Sequence, residues 1–194
     1  KISILFKKVN KKYFLSFGNR ENLIFVLKIC QILKLKKEKI IKIINKFKGL
    51  KYRQQVVFNN NNLTIINDSK STSLASSENL LKNLKSVYWI LCGIPKKSDK
   101  FNLTKSQCKN FRIYIFGNHY KQFRKNFKNK LTTKRFYNLK HTLNQIFLEI
   151  KNNKRKKYTI LFSPAGASFD NFKNFEERGF YFNRTIKKYL NAKR

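Results

Sequence analysis

Three short apolar runs constrain this chain more than any other feature: Val87–Cys92, Arg112–Phe116 and Tyr158–Phe162. Each has strand length and largely lacks the polar alternation of a sheet with one wet face. Each therefore belongs in a sheet covered on both sides. Between and after them the spacing turns helical, over Leu74–Leu84, Leu103–Cys108, Tyr120–Phe127, Tyr137–Ile150 and Glu176–Leu190. That alternation predicts an α/β fold, a Rossmann-like, mainly parallel open sheet with helices on both faces. Ahead of it, Gln55–Phe58 and Leu63–Ile66 flank the tract Asn59–Asn62 and read as strand, turn, strand.

The first part of the chain reads differently. Ile2–Phe6 and Tyr13–Phe17 suit a hairpin around the basic turn Lys7–Lys12. From Asn19, Leu23, Val26, Leu27, Cys30 and Leu33 recur at helical spacing. A second helix follows at Lys37–Phe47, with Ile40, Ile41, Ile44 and Phe47 inward and Gly49 as its stop. No methionine occurs anywhere, and the chain reads as beginning partway through a longer protein.

Lysine and arginine total 45 against 9 acidic residues, a formal net charge of +36. Such a balance raises nucleic-acid binding first. However, 36 of those bases are Lys and 9 are Arg, and they run from end to end. Arg supplies the bidentate fork that phosphate and base recognition favours. Lys, Asn, Ile and Phe are enriched together, as adenine- and thymine-rich codons would produce, so no specific nucleic-acid partner is expected. The alternative from another class is a basic RNA-associated protein of ribosomal type. Cys30, Cys92 and Cys108 are odd in number and form no CxxC pair, which suits reduced thiols in the cytoplasm; they and the two histidines lack zinc-site spacing. The longest apolar stretch, Ser86–Ile94, is too short to cross a bilayer.

In an open parallel sheet the ligand lies off the C-terminal strand ends, so the loops after Ile66, Cys92 and Phe162 are the places to look. The first, Asn67-Asp68-Ser69-Lys70-Ser71-Thr72, runs into a helix N-terminus, where a carboxylate or phosphate would be stabilised. It equally suits a helix cap with a solvated lysine. The second, Cys92-Gly93-Ile94-Pro95-Lys96-Lys97-Ser98-Asp99, reads by itself as a basic surface turn. The third, Ser163-Pro164-Ala165-Gly166-Ala167-Ser168-Phe169-Asp170, combines small residues that permit close backbone approach with aromatics and a charged helix start.

The third loop and its continuation to Gly179 resemble the closing motif of the D-glutamate-adding Mur ligases, Ser-Pro-Ala-Cys-Ala-Ser-x-Asp-x-Phe-x-Asn-Phe-Glu-x-Arg-Gly, with Gly166 in place of the cysteine. The first loop is similar to that family's Ile-Asn-Asp-Ser-Lys-Ala-Thr. Phe47–Arg53 resembles Phe-x-Gly-Leu-Pro-His-Arg, with Tyr52 replacing the histidine, and Asn19-Arg20-Glu21-Asn22 matches an Asn-x-x-Asn helix start. The family's Gly-Gly-x-x-Lys stands here as Cys92-Gly93-Ile94-Pro95-Lys96.

The resemblance implies that residues 1–48 end a central ATP-binding domain, a helical and hairpin remnant, and that residues 49–194 form a C-terminal amino-acid-binding domain. It implies that ATP phosphorylates the carboxylate of UDP-N-acetylmuramoyl-L-alanine, that the amine of D-glutamate attacks the acyl phosphate, and that Mg2+ offsets the phosphate charge. By position, Lys70, Thr72, Lys96, Ser168 and the backbone at Phe175 would bind D-glutamate, and Asn22, Arg53 and Asp68 would contact ATP. Arg178 matches the motif but suits a structural role equally, and Phe172 reads as core. No glycine-rich phosphate loop, magnesium ligand set or UDP-binding domain is readable here, so no catalytic or metal-binding residue is expected in this chain, which should be inactive alone. A monomer without membrane contact is expected.

Overall fold

The structure, a computed structural model, describes residue 9 and residues 12–15, 17–128, 130–153 and 157–191. The chain divides into two compact units, residues 1–49 and 50–194.

The first unit carries a 3-10 turn at Lys12–Leu15 and two helices, α1 (Phe17–Ile32) and α2 (Lys37–Lys46). Leu23 and Leu27 of α1 and Ile40 and Ile44 of α2 recur at helical spacing and close a small core with Phe14. The hairpin expectation fails where it can be checked. Tyr13–Leu15 lies in the 3-10 turn and Phe17 opens α1, and Phe14 anchors the turn against Phe47 with its ring stacked at 5.7 Å. Ile2–Phe6 lies outside the described residues.

The second unit is a six-stranded sheet of order β1-β2-β6-β3-β4-β5. Its strands are β1 (Gln55–Asn59), β2 (Leu63–Asn67), β3 (Val87–Leu91), β4 (Phe111–Phe116), β5 (Thr133–Phe136) and β6 (Tyr158–Phe162). β1 pairs antiparallel with β2, and every other pairing is parallel. Four helices cover it: α3 (Leu74–Leu81), α4 (Tyr120–Phe127), α5 (Leu139–Lys151) and α6 (Phe175–Asn191).

The alternation of side chains along β3 shows why that strand is apolar throughout. Val87, Trp89 and Leu91 face one layer with Leu74 and Leu81 of α3 and Phe123 and Phe127 of α4. Tyr88, Ile90 and the following Cys92 face the other, with Leu143 and Ile146 of α5 and Phe182 and Ile186 of α6. Each such burial contributes roughly 1.5–3 kcal/mol. β6 returns to the middle of the sheet between β2 and β3, so the C-terminal ends of these three strands lie side by side. Two local expectations differ from the fold. Leu103–Cys108 makes a single turn, closed by Cys108 N–H to Thr104 O at 3.2 Å, and feeds β4 without forming a helix. β5, with Lys134 and Arg135 facing solvent, was not apparent as a strand.

Candidate functional site

The loops after β2, β3 and β6 leave one rim of the sheet and are fastened to one another. The β3 and β6 loops pair as a two-residue bridge: Ile94 N–H donates to Ala167 O at 2.8 Å and Ala167 N–H to Ile94 O at 2.9 Å. The β2 and β6 loops are joined by Asp68 N–H to Phe162 O at 2.7 Å and by Ser163 Oγ–H to Asp68 Oδ2 at 2.9 Å. The β2 and β3 loops meet where Leu74 N–H, at the start of α3, donates to Asp99 Oδ2.

Arg178, on the first turn of α6, is fully buried. Its guanidinium donates to Gly166 O at 2.9 Å, Ser69 O at 2.8 Å and Ser69 Oγ at 3.1 Å. Ser69 Oγ–H in turn donates to Phe175 O at 2.9 Å. A buried charge is tolerated only when its donors are satisfied, and this one holds two of the three loops to α6. Asn67 adds a second tie, donating to Gly179 O at 2.8 Å and Asn183 Oδ1 at 2.7 Å.

Beneath the rim runs a line of hydroxyls. Ser71 Oγ lies 2.8 Å from Ser77 Oγ, which lies 2.7 Å from Ser163 Oγ. Asp68 ends the line and also accepts Gln54 N–H at 3.1 Å. Burial pushes the Asp68 carboxyl up to about 6, against the lowering pull of Ser163, the Gln54 N–H and the charge of Arg53.

Around this scaffold the side chains expected to bind D-glutamate make no hydrogen bond to the described residues. Lys70 is exposed, with its ammonium 3.9 Å from the centroid of the Phe175 ring. Among the described residues, none hydrogen-bonds the Thr72 hydroxyl, the buried Ser168 hydroxyl or the exposed Lys96 ammonium. Phe175 opens α6, and first-turn N–H groups have no intrahelical carbonyl. Asn174 caps that helix by accepting Glu177 N–H at 2.8 Å. The rim thus gathers Arg53, Asp68, Lys70, Thr72, Lys96, Ser168 and Phe175 on connected loops. Asn22 belongs to the other unit, exposed on α1.

Two features of the rim were not legible beforehand. The Asn67 tie and the Ser71–Ser77–Ser163 line bear no signal in spacing, since they depend on partners 86–116 positions away or on which way a serine faces. Arg178 matched a motif, but a match does not reveal that the side chain turns inward.

No protein-family model matches the chain. It is 35% identical over 171 residues to the UDP-N-acetylmuramoylalanine–D-glutamate ligase of Wolbachia sp. subsp. Brugia malayi (strain TRS), covering 88% of this chain and 34% of that protein. The like-named proteins of Buchnera aphidicola subsp. Schizaphis graminum (strain Sg) and Petrotoga mobilis (strain DSM 10674 / SJ95) are 38% and 37% identical, with 83% and 78% of this chain covered and 36% and 35% of theirs. The solved MurF ligase from Thermotoga maritima in complex with ADP overlaps 89% of this chain and 39% of its own, at a TM-score of 0.56 and 14% identity, a likeness of fold. The chain spans about a third of the length of the curated relatives it matches. With the sheet, the three joined loops and these relatives in agreement, the chain belongs to the family of UDP-N-acetylmuramoylalanine–D-glutamate ligases, of whose members it matches that third.

Proposed function

We propose that this chain supplies the D-glutamate-binding part of an ATP-dependent ligase of cytoplasmic peptidoglycan synthesis, one that joins D-glutamate to UDP-N-acetylmuramoyl-L-alanine. One observation carries the reading. On loops fastened together by Arg178 and the Ile94–Ala167 bridge, Lys70, Thr72, Lys96 and Ser168 keep their polar groups available to a ligand. Two ammonium groups neutralise a dianion, and two short hydroxyls orient it by hydrogen bonds. The chain's work is to hold the amino acid so that its amine meets an activated carboxylate; activating that carboxylate as an acyl phosphate is the chemistry ATP supplies.

Arg53 and Asp68 suit contact with the nucleotide. Both Asp68 oxygens already accept a bond, yet a carboxylate retains further lone pairs for a hydroxyl donor. Among the described residues no group of three or more His, Cys, Asp or Glu side chains gathers, and we assign none of the magnesium ligands to this chain. We place the end of the ATP-binding domain in residues 1–48 and the amino-acid-binding domain in residues 49–194, and propose that the chain alone does not ligate. No helix among the described residues is long and apolar enough to cross a membrane.

The test is a nuclear magnetic resonance titration of the chain with D-glutamate and, in parallel, L-glutamate. D-glutamate should shift the amides of Lys70, Thr72, Ser168 and Phe175, and Lys70→Ala should weaken that response about tenfold while changing stability by less than about 1 kcal/mol, because an exposed charge contributes little to the core. Equal responses to both enantiomers, or shifts away from the three loops, would overturn the reading.

A further inference from the structure

We infer that Tyr52 is a positioning residue: seated on the bare backbone of Gly179, it fixes where Lys70 and Arg53 stand on the rim. Gly179 lies inside α6, where alanine is the better helix former, so a glycine there needs a reason in packing. The reason is the segment it faces. A Cβ built on Gly179 would lie 2.4 Å from both Cγ and Cδ1 of Tyr52 and 2.9 Å from its Cβ. Cβ and Cγ are the root of that side chain, so no turn of the ring alone would clear them.

The backbone at Tyr52 is itself held in an uncommon shape. Tyr52 has a φ of +60° and Gln54 one of +47°, both in the left-handed region that a residue with a side chain enters at a cost. Two such residues with one between them persist only where their surroundings hold them. Here the hold reaches the β2 loop: Tyr52 O accepts Lys70 N–H at 3.0 Å, and Gln54 N–H donates to Asp68 Oδ1 at 3.1 Å. It also reaches α6. Gln55 Oε1 accepts Tyr52 N–H at 3.3 Å and the Asn183 amide at 3.2 Å, and Asn183 Oδ1 accepts from Asn67 at 2.7 Å. The helix thus grips the segment through Gly179 and Asn183, and the segment grips the β2 loop through Tyr52 and Gln54.

Arg53 stands between the two left-handed residues, and Lys70 hangs on Tyr52 by its own N–H. Moving Tyr52 therefore moves both. The group assigned to D-glutamate and the group assigned to the nucleotide share one support, so displacing that support weakens the hold on the amino acid without altering any side chain that touches it. The assignment of Lys70 to D-glutamate rests on the function proposed above; the seat of Tyr52 on Gly179 does not.

A double-mutant cycle on the chain tests this. In the wild-type background Gly179→Ala should lower the melting temperature by about 4 °C or more. It should also speed hydrogen exchange at the Lys70 amide about tenfold and weaken D-glutamate about fivefold. In a Tyr52→Gly background the ring is gone and the left-handed backbone suits the residue. There Gly179→Ala should raise the melting temperature, as alanine does in an open helix, and should leave Lys70 exchange and D-glutamate affinity where Tyr52→Gly alone put them. Should Gly179→Ala fail to fold, Gln55→Ala carries the test, since it removes only the acceptor that Tyr52 N–H and Asn183 share. It should speed Lys70 exchange about threefold while the melting temperature stays within about 2 °C. An equal loss from Gly179→Ala in both backgrounds, or Lys70 exchange unmoved by Gly179→Ala and by Gln55→Ala, would overturn the inference. A reversal of sign with faster Lys70 exchange, but no D-glutamate binding even by the wild type, would uphold the positioning of Lys70 and sink the D-glutamate reading instead.

Discussion

The two units treat apolar surface in opposite ways. In residues 50–194 the sheet is covered on both faces, and Trp89, Ile90, Leu91, Phe123, Phe127, Phe162 and Phe182 are shut off from solvent. In residues 1–49 a small core holds Phe14, Leu23, Leu27, Ile40 and Ile44, while Phe25, Ile29, Ile32, Leu33 and Ile43 stay 56–70% exposed within the described structure. The amphipathic spacing of α1 and α2 is real, yet it closes a core on one side of each helix. A layer that buries both faces of a sheet can sustain itself; two short helices with one shared stripe sit near the lower limit of independent stability.

The largest consequence concerns separability. A polypeptide of residues 50–194 should unfold in one cooperative urea transition and keep the near-ultraviolet signal of Trp89 and its aromatic neighbours. A polypeptide of residues 1–49 should show no cooperative transition and should bind the dye ANS. Cooperative unfolding by the shorter piece, or its loss in the longer one, would break the contrast.

A smaller effect comes from truncating one ring in each unit. Phe162 stacks on Phe182 with centroids 4.4 Å apart, in the strand at the middle of the sheet. Phe162→Ala should cost about 3–5 kcal/mol, since the close-packed surroundings cannot collapse into the cavity. Phe25→Ala, at a ring already 70% exposed, should stay within about 0.5 kcal/mol by the same urea measurement. Comparable losses at the two positions would mean that Phe25 is covered in solution.

The contrast also governs how much could be read from sequence. β3 and β6 were legible to within a residue because a strand buried on both faces is apolar at nearly every position, with Thr159 the exception in β6, and few other structures demand that. β5 was not, because an edge strand reading Thr-Lys-Arg-Phe satisfies its neighbour with backbone and shows solvent its charges. Tyr13–Phe17 resembled a strand because clustered aromatics suit a sheet as well as a tight turn against Phe47. At the rim, each loop could be located from the strand before it. The ties that shape it could not, since Ser69–Arg178 and Asn67–Asn183 join residues more than a hundred positions apart.

A finer comparison lies within the larger unit, between its apolar interior and its rim, where Asp68 is held against its own ionisation. Burial raises that carboxyl from 3.8 to about 6. Between those values the folded chain keeps a proton that the unfolded chain releases, so the stability Asp68 contributes is complete below pH 3.8, declines as pH rises, and is gone above about 6. The difference of about two pH units corresponds to roughly 2–3 kcal/mol. Asp68→Asn keeps an acceptor for Gln54 N–H and a partner for Ser163, which can reverse its hydroxyl, but it carries no charge. The variant should therefore be more stable than wild type at pH 7.5, by up to about 2 kcal/mol once imperfect hydrogen-bond geometry is allowed for, and the advantage should vanish near pH 4. Urea unfolding of both proteins across that range measures it. A variant less stable at pH 7.5 would show that the two accepted hydrogen bonds outweigh the desolvation of the carboxylate, and that the rim is as well satisfied as the core beneath it.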